Sequence, residues 1–255
     1  MQSPINIASQ NVMVTRQLPP FNFFYYQVTE NVFIKVVKSP KRTAQMAFIG
    51  SKVIFLKGGG LPDIYKLDEF HFHWGLELHK SSEHTIDGKH FPLELHIVHH
   101  QSKLYNFKTA STQPFGLAVV VFMFKLVPDE NLGFKKFLGK FDANLGYLDN
   151  FALSEIIPVY DNLEYYRYYG SMTSPPCTES VIWSVMKKPI PISGEQLKAL
   201  KHVLNPMGNP LLHNHRPLQN RNRRPIFSAI FKSSNDALCQ KAKYWLALYM
   251  VVRLC

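Results

Sequence analysis

The stretch Glu69-Phe70-His71-Phe72-His73-Trp74-Gly75 decides how this chain reads. Apolar and polar residues alternate along it, and a period of two marks a strand with one buried face. Phe70, Phe72 and Trp74 share one face and belong to a core. Glu69, His71 and His73 share the other. The strand rise sets the two imidazoles about 7 Å apart along the chain, so both can reach one metal ion. One histidine on a strand is more often a hydrogen-bonded polar residue than a ligand. The pair therefore needs a third partner.

A second strand, Leu93-Glu94-Leu95-His96-Ile97-Val98, repeats the pattern. Glu94, His96 and Val98 share a face, while Leu93, Leu95 and Ile97 point the other way. If the two strands are neighbours, His96 completes a set of three. Three neutral imidazoles and one open position describe a catalytic zinc site rather than a closed structural one. Water would fill the fourth position, with its pKa lowered to about 7. Metal-bound histidines usually donate their second N–H to an acceptor. Glu69 and Glu94 each stand two residues before a candidate ligand, His71 and His96, and fit that role. His79, His90, His202 and His213 read as surface residues, and His99 faces away from His96.

Working outward, further short apolar or alternating runs occupy residues 21–28, 53–56, 117–126 and 181–185. Gly and Pro punctuate the chain throughout, without an internal repeat or a clear linker. Many short strands between turn signals predict a β-rich single domain. Helices are expected over 131–141 and 193–204, the second with Ser193 as N-cap and Gln196 at the third helical position. An apolar fraction of 46% and a charged fraction of 18% over 255 residues argue against a disordered chain or a coiled coil. No apolar run approaches the roughly 18 residues of a membrane-spanning helix.

The net charge of +11 is concentrated late in the chain. From Lys187 onward there are 12 basic and 2 acidic residues, and Arg216, Arg221, Arg223 and Arg224 form the densest cluster. No aromatic stacking surface is interleaved with it, so a nucleic-acid partner is not expected. The basic region reads first as a solvated face and second as a polyanion contact.

At this point several motifs resemble the α-class carbonic anhydrases. His71-Phe72-His73-Trp74-Gly75, Ser82-Glu83-His84-Thr85 and Glu94-Leu95-His96-Ile97-Val98-His99 follow one another with that family's spacing. Gln2-Ser3-Pro4-Ile5-Asn6-Ile7 resembles its N-terminal motif. The run from Gly170 through Ser171-Met172-Thr173-Ser174-Pro175-Pro176-Cys177 to Glu179 resembles its active-site loop. Asn214-His215-Arg216-Pro217-Leu218-Gln219 resembles its C-terminal motif.

The resemblance implies a twisted, mostly antiparallel central sheet of about ten strands with a few peripheral helices. It spans a catalytic domain over residues 1–232. It implies reversible, zinc-dependent hydration of CO2 to bicarbonate, and inhibition by sulfonamides. His71, His73 and His96 would hold zinc. Thr173 would accept a hydrogen bond from zinc-bound hydroxide and donate its own to an ionised Glu83. Glu94, His84 and Tyr168 match the family's buried support, and the backbone carbonyl of Asn214 is the expected acceptor for His73. Val98, Val119, Met172 and Trp183 would wall an apolar CO2 site, with Ser174 beside it. The alternative is a catalytically silent binding module, although all three histidines, Thr173 and Glu83 are present.

Three departures from the family pattern carry expectations. The stretch 38–46 lacks the shuttle histidine of the fast enzymes, and Lys or Arg hold protons too tightly to replace it near neutral pH. No proton shuttle is identified in the sequence, so proton transfer is expected to be slow and rescued by imidazole-type buffers. Glu69 stands where glutamine is usual, which should make His71 more basic. The family usually has about two dozen residues before the Gln-Ser-Pro motif, and their absence is expected to lower stability more than it disturbs the ligands.

The cysteines are Cys177, Cys239 and Cys255. In secreted relatives the cysteine matching Cys177 pairs with one upstream of the Gln-Ser-Pro motif. That points to an extracellular or membrane-anchored protein, with a free thiol and a cytoplasmic location as the alternative. Residues 233–255 offer small residues, a polar spacer and a short apolar tail, readable as a GPI-anchor signal or a terminal helix.

Overall fold

The computed structural model describes residues 1–39, 42–75, 81–140, 147–160, 162–203 and 214–231. The strands of its first half are β1 (Asn6–Ile7), β2 (Met13–Thr15), β3 (Phe21–Phe24), β4 (Phe33–Ser39), β5 (Arg42–Phe48), β6 (Phe55–Gly58), β7 (Tyr65–His73), β8 (Thr85–Ile86) and β9 (Leu93–Gln101). Those of its second half are β10 (Leu117–Leu126), β11 (Tyr147–Asp149), β12 (Tyr165–Gly170), β13 (Val181–Met186), β14 (Ile190–Ile192) and β15 (Phe227–Ala229). The α-helices are α1 (Phe107–Ala110), α2 (Leu132–Lys140) and α3 (Gly194–Val203).

Among the described residues, thirteen strands form one mixed sheet. Its main path runs β11-β4-β5-β7-β9-β10-β13-β12-β15-β2, with β3, β6 and β14 paired off that path. Neighbours on the path are antiparallel except β10 with β13 and β15 with β2. The β-rich, mostly antiparallel sheet of about ten strands is thus present, widened by three side strands.

The alternation that marked β7 and β9 sorts their residues to two faces of the sheet. Phe70, Phe72, Leu93, Leu95 and Ile97 lie in the larger core. There Phe72 meets Phe134 and Phe137 of α2 at ring-centroid distances of 5.9 and 6.0 Å. Full burial of each such phenylalanine contributes roughly 1.5–3 kcal/mol. The opposite face carries a smaller core that includes Val98, Val119, Val121 and Trp183. The candidate ligands point to this second face.

Helix α3 begins as its sequence predicts. Gln196 N–H donates to Ser193 Oγ and Ser193 N–H donates to Gln196 Oε1, both at 3.2 Å, a reciprocal cap. Both expected helices start one residue later than anticipated, and their expected last residues, Phe141 and Leu204, lie outside the described residues. The run 21–28 is not one strand. It turns at Tyr25, whose φ is +67°, and the turn sends Tyr26 inward to hydrogen-bond His99.

The basic cluster is not uniformly solvated, which corrects the simplest reading of the late positive charge. Arg224 is buried, and its guanidinium donates to the carbonyls of Gln2, Tyr169, Asn220 and Arg221 at 2.6–3.0 Å. Four carbonyl acceptors replace the water that the charge leaves behind. No helix among the described residues is long and apolar enough to cross a membrane. The 233–255 segment, Cys239, Cys255, His79, His213 and two residues of the 38–46 stretch fall outside the described residues.

Candidate metal centre

Strands β7 and β9 pair in the register that opposes His71 to His96. That register gathers three imidazoles. Ring centroids lie 4.8 Å apart for His71 and His73, 5.2 Å for His71 and His96, and 4.5 Å for His73 and His96. One ligating nitrogen from each falls within 4.8 Å of the others.

The second nitrogen of every ring is engaged elsewhere. His71 Nδ1 lies 2.9 Å from both oxygens of Glu69. His73 Nδ1 donates to the Asn214 carbonyl at 2.8 Å. His96 Nε2 donates to Glu94 Oε1 at 2.6 Å. These bonds fix the tautomers, leaving Nε2 of His71, Nε2 of His73 and Nδ1 of His96 as lone-pair donors. His73 Nε2 is buried without a hydrogen-bond partner. A buried polar atom left unpaired costs about 1–3 kcal/mol. A cation held by three lone pairs removes that cost, so the residues fit zinc.

The protonation of two of the rings agrees with that role. Burial lowers the pKa of His73, and it lowers that of His96 well below the ordinary imidazole value. Both rings are therefore neutral and able to ligate. Burial also disfavours a charged His71, but the charge and hydrogen bond of Glu69 reverse this and raise its pKa.

A cavity of about 340 Å3 opens over the three rings. One side is apolar: Val98, Val119, Met172 and Trp183. The other carries Gln45, Glu69, Glu83, Thr173, Ser174, His215 and Arg216. Every pocket-wall residue expected from sequence lines this one cavity, together with Thr173 and Glu83. Gln45 was not named from the sequence, and His215 and Arg216 appeared there only within a motif and, for Arg216, the basic cluster, without a place in the cavity. Gln45 arrives because β5 pairs with β7 and sets it opposite His71.

One expected contact is not made. Glu83 Oε1 accepts the Arg216 backbone N–H at 2.8 Å. Glu83 Oε2 is buried and unpartnered, 3.6 Å from His73 Nε2. The Thr173-to-Glu83 hydrogen bond is therefore absent in this conformation, although both side chains face the same cavity.

A sequence model of the eukaryotic-type carbonic anhydrases matches residues 1–230. The chain belongs to the eukaryotic-type carbonic anhydrase family. It is 38% identical over 228 residues to carbonic anhydrase 1 of Oryctolagus cuniculus, covering 86% of this chain and 94% of that protein. It is 32% identical to carbonic anhydrase 3 of Homo sapiens over 91% of this chain and 90% of that one. Carbonic anhydrase 12 of Homo sapiens is 30% identical, with 100% of this chain and 73% of that protein covered. Membership of this family supports CO2 hydration in general, and with it a lyase.

In this carbonic anhydrase family member, the ligands rest on a buried polar network. Glu94 accepts from the His84 backbone N–H at 2.8 Å, from His84 Nδ1 at 2.7 Å and from His96 Nε2. His84 Nε2 meets Tyr168 OH at 2.6 Å, and Tyr168 OH donates to Ser3 Oγ at 3.0 Å. Ser3 Oγ also accepts the Ser171 backbone N–H at 3.1 Å. The N-terminal motif thereby holds the loop that carries Thr173. Gly170 makes this approach possible, since a Cβ there would sit 2.1 Å from Ser3 Oγ. His84, Glu94 and His96 also cluster closely enough to suggest a second metal group. The three hydrogen bonds into Glu94 account for that cluster without an ion.

Proposed function

We propose that this cavity carries out the zinc-dependent, reversible hydration of CO2 to bicarbonate. The observation that carries the reading is the set of three converging imidazole lone pairs, one of them buried and otherwise unpartnered. His71, His73 and His96 would hold the metal. When bound, zinc lowers the pKa of a coordinated water to about 7 and so supplies a hydroxide nucleophile at neutral pH.

The protein's own residues position the rest. CO2 has no net dipole, so the wall of Val98, Val119, Met172 and Trp183 favours it over water. Trp183 is held by its Nε1–H donating to Ser171 O at 3.1 Å. Thr173 would accept a hydrogen bond from a proton-bearing oxygen and, once its side chain closes the contact missing in this conformation, donate its own to Glu83 Oε2, which stands unpartnered here. That directionality selects a protonated oxygen over anions that lack a proton. Ser174 adds a hydroxyl at the wall. The proton released is the slow passenger, because the stretch 38–46 supplies no histidine.

The test is direct. Purified protein should contain one zinc per chain and hydrate CO2 in a manner blocked by a sulfonamide. A protein with zinc but no hydration activity would instead be a silent binding module.

Glu69 makes a sharper prediction. Its carboxylate beside His71 strengthens that ring as an electron donor and adds negative charge near the metal. Glu69→Gln is expected to weaken zinc retention against a chelator by roughly tenfold. It should also move the midpoint of the pH–rate profile downward. An unchanged chelator rate together with an unchanged midpoint would reject this role.

A further inference from the structure

We propose that Asp68 and His100 form a positioning pair that aims Glu69 at His71 and so sets how firmly the centre holds its metal. The proposal rests on the zinc reading above. Neither residue belongs to the ligand set or to the cavity wall, so both act through Glu69.

The period of β7 breaks just before its ligands. Leu67 and Phe70 both lie in the larger core, although they stand three residues apart. Regular alternation would put them on opposite faces. The register of β7 against β9 shifts between Leu67 and Glu69, and this bulge takes up the extra residue. Without it, Asp68 would share the core face with Phe70. With it, Asp68 joins Glu69 on the face that carries His71 and His73. A bulge leaves its extra residue unpaired in the ladder, so a side-chain contact must hold it there.

His100 provides that contact. Along β9, His96, Val98 and His100 alternate onto the metal face, and Val98 lines the cavity. The ladder sets His71 opposite His96, Glu69 opposite Val98 and Lys66 opposite His100. His100 is buried, and its Nδ1 lies 2.8 Å from both oxygens of Asp68. Asp68 and His100 thus form the next row out from Glu69 and Val98, one residue from each strand. Burial pushes the Asp68 carboxyl above its ordinary pKa, its interactions with His100 oppose this, and the neighbouring Glu69 adds to it. A largely buried carboxylate needs a hydrogen-bond partner, and His100 supplies one.

Glu69 depends on that row. It follows Asp68 directly, and two adjacent carboxylates on one face repel each other. With Asp68 drawn across to His100, Glu69 can turn both of its oxygens to His71 Nδ1 at 2.9 Å. Loss of the anchor would free the Asp68 side chain and loosen the bulge. The backbone of Glu69 would shift with it, and the two-oxygen contact on His71 would weaken.

The experiment is a double-substitution cycle on the full chain, read as the rate at which bound zinc passes to a chelator. Asp68→Ala is expected to speed release by about three- to tenfold, and Glu69→Gln by about tenfold. Because Asp68 acts through Glu69, the double variant should release zinc no faster than Glu69→Gln alone. Asp68→Asn keeps an acceptor for His100, and His100→Asn keeps a donor for Asp68, so both should stay within about twofold of wild type. His100→Leu should match Asp68→Ala, and it carries the same cycle if Asp68→Ala folds poorly. The Nδ1–H resonance of His71, followed by NMR in the zinc-loaded protein, should exchange faster with water in Asp68→Ala but not in Asp68→Asn. Effects that multiply in the cycle, a His71 proton indifferent to Asp68→Ala, or a lowered Tm with unchanged zinc release would overturn the positioning role. Wild type that retains no zinc would instead overturn the zinc reading, a different result from a zinc protein indifferent to Asp68 and His100.

Discussion

His73→Ala is expected to empty the metal centre and abolish CO2 hydration. Zinc ligation by small protein sites is worth roughly 10–16 kcal/mol in total, so one of a few ligands carries several kcal/mol. That translates to at least about a hundredfold loss of affinity. The cleanest readout is thermal. A ligand present at a thousand times its Kd stabilises the native state by about 4 kcal/mol, which is a Tm rise of roughly 10 °C for a domain of this size. Wild type should show such a zinc-dependent rise, and His73→Ala should show almost none. The metal-free variant should remain folded, because the truncation gives up a single hydrogen bond, from Nδ1 to the Asn214 carbonyl, and removes an Nε2 that had no partner. An equal zinc-dependent rise in both proteins would remove His73 from the ligand set.

The centre was legible because it obeys a strand's period of two. His71, His73 and His96 each occupy the polar face of an alternating run, and Glu69 and Glu94 repeat that face two residues earlier. What alternation leaves open is the neighbour. It cannot say that β7 lies beside β9 in the register that opposes His71 to His96. It also misses the register shift between Leu67 and Glu69, where an extra residue turns Asp68 to hydrogen-bond His100. Thr173 and Asn214 sit in loops, where no period exists to reveal them. They entered only through the family resemblance. His215 and Arg216 were visible in a motif, but their function depends on which wall the loop closes against.

The charge reading needed correction in part, for a related reason. Composition counts arginines without saying which carbonyls they meet. Arg224 and Arg216 turn inward to hold Gln2 and Ser3, and so tie the start of the chain to residues 216–224. The strand run 21–28 failed where the backbone entered a left-handed turn at a tyrosine, a residue with no sequence preference for one.

The second large effect is expected at Glu94, which joins stability to metal binding. Glu94→Ala strands three buried donors: the His84 backbone N–H, His84 Nδ1–H and His96 Nε2–H. Breaking such a buried arrangement costs roughly 3–5 kcal/mol. Measured in chelator, so that zinc does not contribute, the loss should appear as a Tm drop of about 10 °C. Glu94→Gln keeps the shape and one acceptor but turns an NH2 group toward donors, so its loss should be smaller. Zinc affinity should also fall by about 10–100-fold, because nothing then fixes the His96 tautomer. The pH dependence separates charge from packing. Burial raises the Glu94 pKa, but its interactions with His84 and His96 bring it well below the carboxylate range. A depressed folded pKa stabilises above the unfolded value of about 4.3 and loses that contribution as pH falls through the folded value. The gap in stability between wild type and Glu94→Gln should therefore be full at pH 7 and shrink under strong acid. A gap that stayed constant down to acid unfolding would show that Glu94 acts through its shape alone. A gap that closes would show that the carboxylate charge itself holds His84 and His96 in place.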